Sequence, residues 1–110
     1  MSVYWIGRAE QRDPKGYAEY ARLRGIATER FQTTYPYTPI VRGGAYRILE
    51  GPDAFDRHVI LRFASMDAAL GFYHSPEYQA AAAVRRAASG RCELVLVEGT
   101  AHVRSNEAMK

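Results

Sequence analysis

Two runs decide the fold: Ile40-Val41-Arg42-Gly43-Gly44-Ala45-Tyr46-Arg47-Ile48-Leu49 and Arg57-His58-Val59-Ile60-Leu61-Arg62-Phe63. In the second, Val59, Leu61 and Phe63 share one phase of an alternating pattern, which is the period of a strand buried on one side. The first is rich in β-formers and is interrupted by Gly43-Gly44. Paired glycines within a strand mark a bulge, or a place where another backbone or a ligand approaches closely. Glu50-Gly51-Pro52-Asp53 between them has turn chemistry. Residues 40–49 and 57–63 are therefore expected to pair as an antiparallel hairpin.

Upstream, Val3 to Ala9 has strand composition. Asp13-Pro14 then signals a helix start, because aspartate accepts a backbone N–H and a proline at the first helical position gives up only an orphan donor. Tyr17, Tyr20, Leu23, Ala27 and Phe31 recur at helical spacing, with Lys15, Glu19, Arg22 and Glu29 on the opposite side, so a helix is predicted over residues 14–32. Downstream, Ser65 caps a helix with Met66, Ala69, Leu70 and Tyr73 along one side. Ser75-Pro76 repeats the cap-and-proline signature, so that helix breaks and restarts over Pro76 to Ala88. Gly90 reads as a stop, Cys92 to Glu98 as the last strand, and residues 100–110 as a polar tail. The order β-α-β-β-α-β over residues 1–99 predicts one α+β domain of ferredoxin-like type, an antiparallel four-stranded sheet with its helices on one face. Strands one, two and four carry apolar residues on both phases. The uncovered sheet face is thus expected to pack on a second copy, giving a homodimer.

Composition narrows the functional classes. With 110 residues and 47% hydrophobic content there is room for one core and no separate cofactor domain. No apolar run approaches the roughly 20 residues that span a bilayer, and Met1 to Ile6 enters a strand without the features of a secretion signal. A cytoplasmic protein with no membrane partner is expected. The single cysteine, Cys92, excludes an internal disulfide and a cysteine-ligated cluster, and reads as a small buried hydrophobe. The net charge of +3 comes from 15 basic and 12 acidic residues dispersed along the chain, which serves solubility rather than nucleic-acid binding. The third strand also lacks the glycine and stacking aromatic pair of an RNA-recognition sheet.

The succession Tyr4-Trp5-Ile6, Asp13-Pro14 with Tyr17 and Tyr20, Val41-Arg42-Gly43-Gly44, Leu49-Glu50-Gly51, Phe72-Tyr73-His74-Ser75-Pro76-Glu77-Tyr78-Gln79 and Val97-Glu98-Gly99 resembles the domain-of-unknown-function 1330 family, within the dimeric α/β-barrel superfamily. The resemblance spans about residues 3–99, and the Phe-Tyr-x-Ser-Pro-Glu-Tyr block is its most specific element. It implies a ferredoxin-like protomer whose sheet meets a partner's sheet in a barrel. It implies no single activity, since relatives in the superfamily include cofactor-independent monooxygenases, small isomerases and decarboxylases, and haem-degrading enzymes.

Candidate site residues follow from side-chain chemistry. Arg42 beside Gly43 and Gly44 can grip a carboxylate or enolate with little steric hindrance, or can simply be solvated next to a seam bulge. His74 with Tyr73 and Tyr78 places an imidazole and two phenols near a helix break, suited to proton transfer or to plain packing. His58 and Arg62 share a strand phase that lines either a cavity opposite Tyr17 and Tyr20 or the dimer seam. Tyr4, Trp5, Tyr35 and Tyr37 can stack on a planar ligand or form walls. His58, His74 and His102 have no ligand spacing, so no metal is expected, and no cofactor either. The leading expectation is a cofactor-independent enzyme binding a planar aromatic or carboxylated metabolite, with Arg42, His74, Tyr20 and Tyr73 as its reactive groups. The alternative is a dimer that binds or shelters a ligand without converting it.

Overall fold

The computed structural model describes residues 1–100. Its elements are β1 (Val3–Gln11), α1 (Pro14–Arg30), β2 (Tyr37–Arg42), β3 (Arg57–Phe63), α2 (Met66–His74), α3 (Pro76–Ala88) and β4 (Ser89–Glu98). The strands form one antiparallel sheet in the order β2-β3-β1-β4. This is the expected ferredoxin-like arrangement. The polar tail expected for residues 100–110, and His102 within it, lie outside the described residues apart from Thr100.

The helix starts are set by the predicted caps. Asp13 accepts from the Lys15 amide at 3.1 Å, and Ser65 accepts from the Ala68 amide at 3.1 Å. Ser75 is buried at the α2–α3 corner, where its hydroxyl donates to the Phe72 carbonyl at 2.7 Å and accepts from the Tyr78 amide at 3.2 Å. One side chain thereby ends α2 and begins α3. The amides of Arg12 and Asp13 both donate to the Ala88 carbonyl, which ties the start of α1 to the end of α3.

The core lies between the sheet and the helices. Trp5, Leu61 and Phe63 point up from β1 and β3, and Phe72 and Tyr78 come down from α2 and α3. Their rings meet edge-on or tilted, with Trp5 and Tyr78 centroids 5.1 Å apart and Trp5 and Phe72 5.9 Å apart, the geometry favoured by the aromatic quadrupole. On the other sheet face Tyr4, Ile6, Ile60 and Val41 are half-exposed, and Val95 and Val97 are 52% and 46% exposed. The apolar phase expected to meet a second copy is therefore uncovered within one chain.

Four local expectations need correction. The second strand runs from Tyr37 to Arg42, not from Ile40 to Leu49. Gly43 and Gly44 adopt φ of 73° and 92°, which turns the chain out of the sheet, so they end the strand rather than bulge within it. Residues 43–56 form an irregular connection, because β3 begins under β1: the Asp56 amide donates to the Ala9 carbonyl, and the Asp56 carboxylate accepts from the Gln11 amide. The bulge falls instead between Pro39 and Val41. At the other end β4 begins at Ser89, so Gly90 lies inside a strand, at the irregularity between the Ala9–Cys92 and Gln11–Ser89 pairs. In α2 the inward residues are Ala69 and Phe72, while Leu70 is exposed. Cys92 is half-buried, not wholly buried, and its sulfur accepts from Arg85 Nη1 at 2.8 Å.

Candidate functional site

A cleft opens between the helices and the C-terminal half of β1. The upward phase of that strand reads Val3, Trp5, Gly7, Ala9, so side-chain bulk falls away after Trp5 and leaves a space over Gly7 and Ala9. The cleft has a cavity volume of about 40 Å³. A ring-sized ligand therefore enters only as the long side chains at its edge swing aside. Trp5, Tyr17, Tyr20, Tyr37, Phe72 and Tyr78 make its aromatic walls.

Besides Arg8, which is paired with Glu93, four arginines line the same space: Arg24, Arg42, Arg57 and Arg85. Each reaches it for a legible reason. Arg24 lies on the α1 stripe Tyr17, Tyr20, Arg24, Ala27, and Arg85 lies on the α3 stripe Tyr78, Ala81, Ala82, Arg85. Arg57 shares the phase of Val59, Leu61 and Phe63. Arg42 depends on the bulge. With one extra residue after Pro39, Val41 stands opposite Ile60 and Arg42 opposite Val59, which returns Arg42 to the face of Tyr37. Its Nη2 donates to the Tyr37 hydroxyl at 3.2 Å, and that hydroxyl in turn meets Thr28 Oγ1 at 2.8 Å.

None of these four guanidiniums forms an ion pair among the described residues, where the pairs are Arg8–Glu93, Arg12–Glu10, Arg22–Glu19 and Arg30–Glu77. Glu93, the acidic residue at the cleft, is bound to Arg8 at 2.7 Å. Arg24 and Arg85 lie against the Tyr20 ring, their guanidinium carbons 5.6 and 5.8 Å from its centroid. The Nε of Arg85 is buried and has no acceptor. Burial opposes the charge of Arg85, but the acidic hydroxyls of Tyr78 and Tyr20 and the Cys92 thiol outweigh it, so its pKa moves up. Arginine stays cationic in any case.

The phenols are hydrogen-bonded. Tyr20 and Tyr78 hydroxyls lie 3.2 Å apart, and Tyr17 bonds Ser89 Oγ, which donates to the Arg85 carbonyl at 2.7 Å. Burial pushes the Tyr78 phenol far above the usual range, and burial also raises Tyr17 against the opposing bond from Ser89. Both phenols hold their protons and act as donors, not as bases.

Of the residues singled out in the sequence, the cleft gathers Trp5, Tyr17, Tyr20, Tyr37, Arg42 and Tyr78. Gly43 adjoins it through Arg57, whose Nη1 lies 3.4 Å from where a Cβ at Gly43 would stand. The others are elsewhere. Tyr4, His58 and Arg62 lie on the open sheet face, with Arg62 beside a shallow groove bordered by Ser2, Thr38 and Ala64, and with His58 stacked on Tyr46 at 4.8 Å. Gly44 is exposed. Tyr73 packs its edge on Trp5 at 5.8 Å and His74 is exposed at the α2–α3 corner, neither lining the cleft. Arg24, Arg57 and Arg85 were missed. Their signal was a charge at an inward position of an otherwise apolar stripe. Among the described residues no three His, Cys, Asp or Glu converge as metal ligands, and no helix is long and apolar enough to cross a membrane.

Residues 2–100 match the family model described as Domain of unknown function (DUF1330). This chain belongs to the DUF1330 family. The fold recurs in a protein of unknown function from Rhodopseudomonas palustris, at 21% identity over 92% of this chain and 84% of that one, with a TM-score of 0.72. It recurs in a dimeric ferredoxin-like protein of unknown function from Jannaschia, at 13% identity over 90% and 100% of the two chains, TM-score 0.65. A candidate antibiotic biosynthesis monooxygenase from Caulobacter crescentus is 16% identical over 91% of each chain, TM-score 0.59. No functionally curated protein matches this DUF1330 chain.

Proposed function

We propose that this DUF1330 chain is a homodimer, joined through its open sheet face, that takes a planar organic anion into the cleft and acts on it without a cofactor. The observation that carries this reading is the set of four guanidiniums that have no carboxylate partner among the described residues and line one aromatic-walled cleft. Guanidiniums confined in a low-dielectric space bind a carboxylate, or the anion of an acidic phenol or enol, through short charge-assisted bonds. Tyr78 stays protonated and donates to an oxygen atom as charge develops there.

In this reading the positive field of the cleft lowers the pKa of a bound phenol or enol, whose proton leaves to water. The resulting electron-rich anion is the species from which isomerisation, cyclisation or oxygenation proceeds. Arg42 and Arg57 hold it from the strands, Arg24 and Arg85 from the helices, and Tyr20 and Tyr78 orient it. His74 takes no part. A second reading, binding without conversion, is favoured by one feature: the carboxylate at the cleft, Glu93, is already engaged by Arg8 and is not free as a base.

Trp5 is the sole tryptophan and lies in the cleft wall, so its fluorescence reports occupancy directly. Titration with aromatic acids and acidic phenols should give saturable quenching that weakens with salt and is lost in Arg85→Met. Chromatography of the incubated ligand then separates turnover from simple binding. Absence of saturable quenching by any such anion, or full affinity in Arg85→Met, would sink the proposal.

A further inference from the structure

We infer that the cleft is built for a ligand with two anionic groups on one flat framework, a planar dicarboxylate, rather than for a monoanion. This rests on the proposed anion-binding role and specifies its ligand. Apart from Arg8, which is paired with Glu93, the cleft arginines form two groups on different layers of the fold. Arg24 and Arg85 come from α1 and α3 and flank the Tyr20 ring at 5.6 and 5.8 Å. Arg42 and Arg57 come from the facing ends of β2 and β3, at the point where the chain turns away through Gly43. The helical pair is the inner one: Arg85 has a buried Nε with no acceptor, whereas Arg42 is exposed at the rim.

A monocarboxylate engages one pair and leaves the other facing it with uncompensated charge. A rigid dianion answers both, and its flat body would meet Tyr20, Tyr37 and Trp5, aromatic side chains that line the same cleft. Guanidinium forks match carboxylate geometry in two-point contact, and planar walls reject tetrahedral bulk between the charged ends.

The test compares benzene-1,3-dicarboxylate, benzoate and inorganic phosphate by Trp5 quenching at one ionic strength. The wild-type protein should bind the dicarboxylate about tenfold or more tightly than benzoate, the gain expected of a second charge-assisted contact. Arg42→Met and Arg85→Met, each checked for its fold by circular dichroism, should each reduce that preference to about unity. Equal affinity for dicarboxylate and benzoate, with both still dependent on Arg85, overturns this inference and leaves the anion-binding proposal standing. Phosphate binding as tight as the dicarboxylate overturns it too, since one compact anion then suffices. A preference that survives Arg42→Met has the same consequence. If neither acid binds, the inference falls, and the proposal beneath it falls too when acidic phenols also fail to quench Trp5.

Discussion

Arg85→Met should make the ligand-free protein more stable while abolishing anion binding. Methionine has a similar reach and can keep the packing of the arginine stem on α3. Two favourable contacts disappear: the hydrogen bond from Nη1 to Cys92 Sγ at 2.8 Å, and the stacking of the guanidinium on Tyr20 at 5.8 Å. Together they contribute about 1–2 kcal/mol. Two unfavourable terms disappear with them. The buried Nε has no acceptor, and a charged donor left in that state costs about 2–3 kcal/mol. Arg24 and Arg85 also share the Tyr20 ring, so their charges lie within about 11 Å of one another and repel by about 1 kcal/mol or more at an effective dielectric near 20. The balance is a stabilisation of about 1–3 kcal/mol, which for a domain of this size raises Tm by about 4 °C or more for each kcal/mol. Differential scanning fluorimetry without ligand measures it directly. Added salt should raise the wild-type Tm more than that of the variant, because it screens a repulsion that only the wild type has. A lower Tm in Arg85→Met, with anion affinity intact, would show that the guanidinium is a structural strut and refute the reasoning.

Three other outcomes are expected. Burial holds the pKa of Tyr17 and Tyr78 above that of an ordinary phenol in the folded chain, so their contribution to stability is complete below pH about 10 and is lost as pH rises beyond it, where unfolded tyrosines ionise first. Urea denaturation at alkaline pH should show this decline, and Tyr78→Phe should flatten it. An added Cβ at Gly71 would lie 2.5 Å from Tyr35 ring atoms, so Gly71→Ala should destabilise by about 1–3 kcal/mol, with the penalty shrinking when Tyr35→Ala is present in the same chain. Val95→Asp places a charge on the open sheet face, where Val95 is 52% exposed, and should convert a dimer to a folded monomer in sedimentation analysis. A monomeric wild type at micromolar concentration would remove the sheet face from the proposed interface.

Element types and their order follow from local signals in this chain. Asp13-Pro14, Ser65 and Ser75-Pro76 act on amides within three residues of themselves, and the alternation of Val59, Leu61 and Phe63 needs no distant partner to be recognised. Strand ends are different, because a strand stops where its neighbour stops. Tyr46 and Ile48 have β-forming side chains, yet no partner strand faces them once Asp56 has been tied to β1.

The site divides along the same line. Tyr17, Tyr20, Arg42 and Tyr78 could be singled out from residue type and spacing, since each lies on a recognisable stripe or beside the glycine pair. That Arg42 points into the cleft was decided by the bulge after Pro39, a one-residue offset that reverses every orientation beyond it. That His74 and His58 stand outside the cleft was decided by the corner at Ser75 and by the phase of β3 against β1. The sequence by itself determined which chemical groups this protein possesses and which elements carry them. Only the tertiary structure decided which of those groups share one space, because convergence depends on register and on packing between residues far apart in the chain.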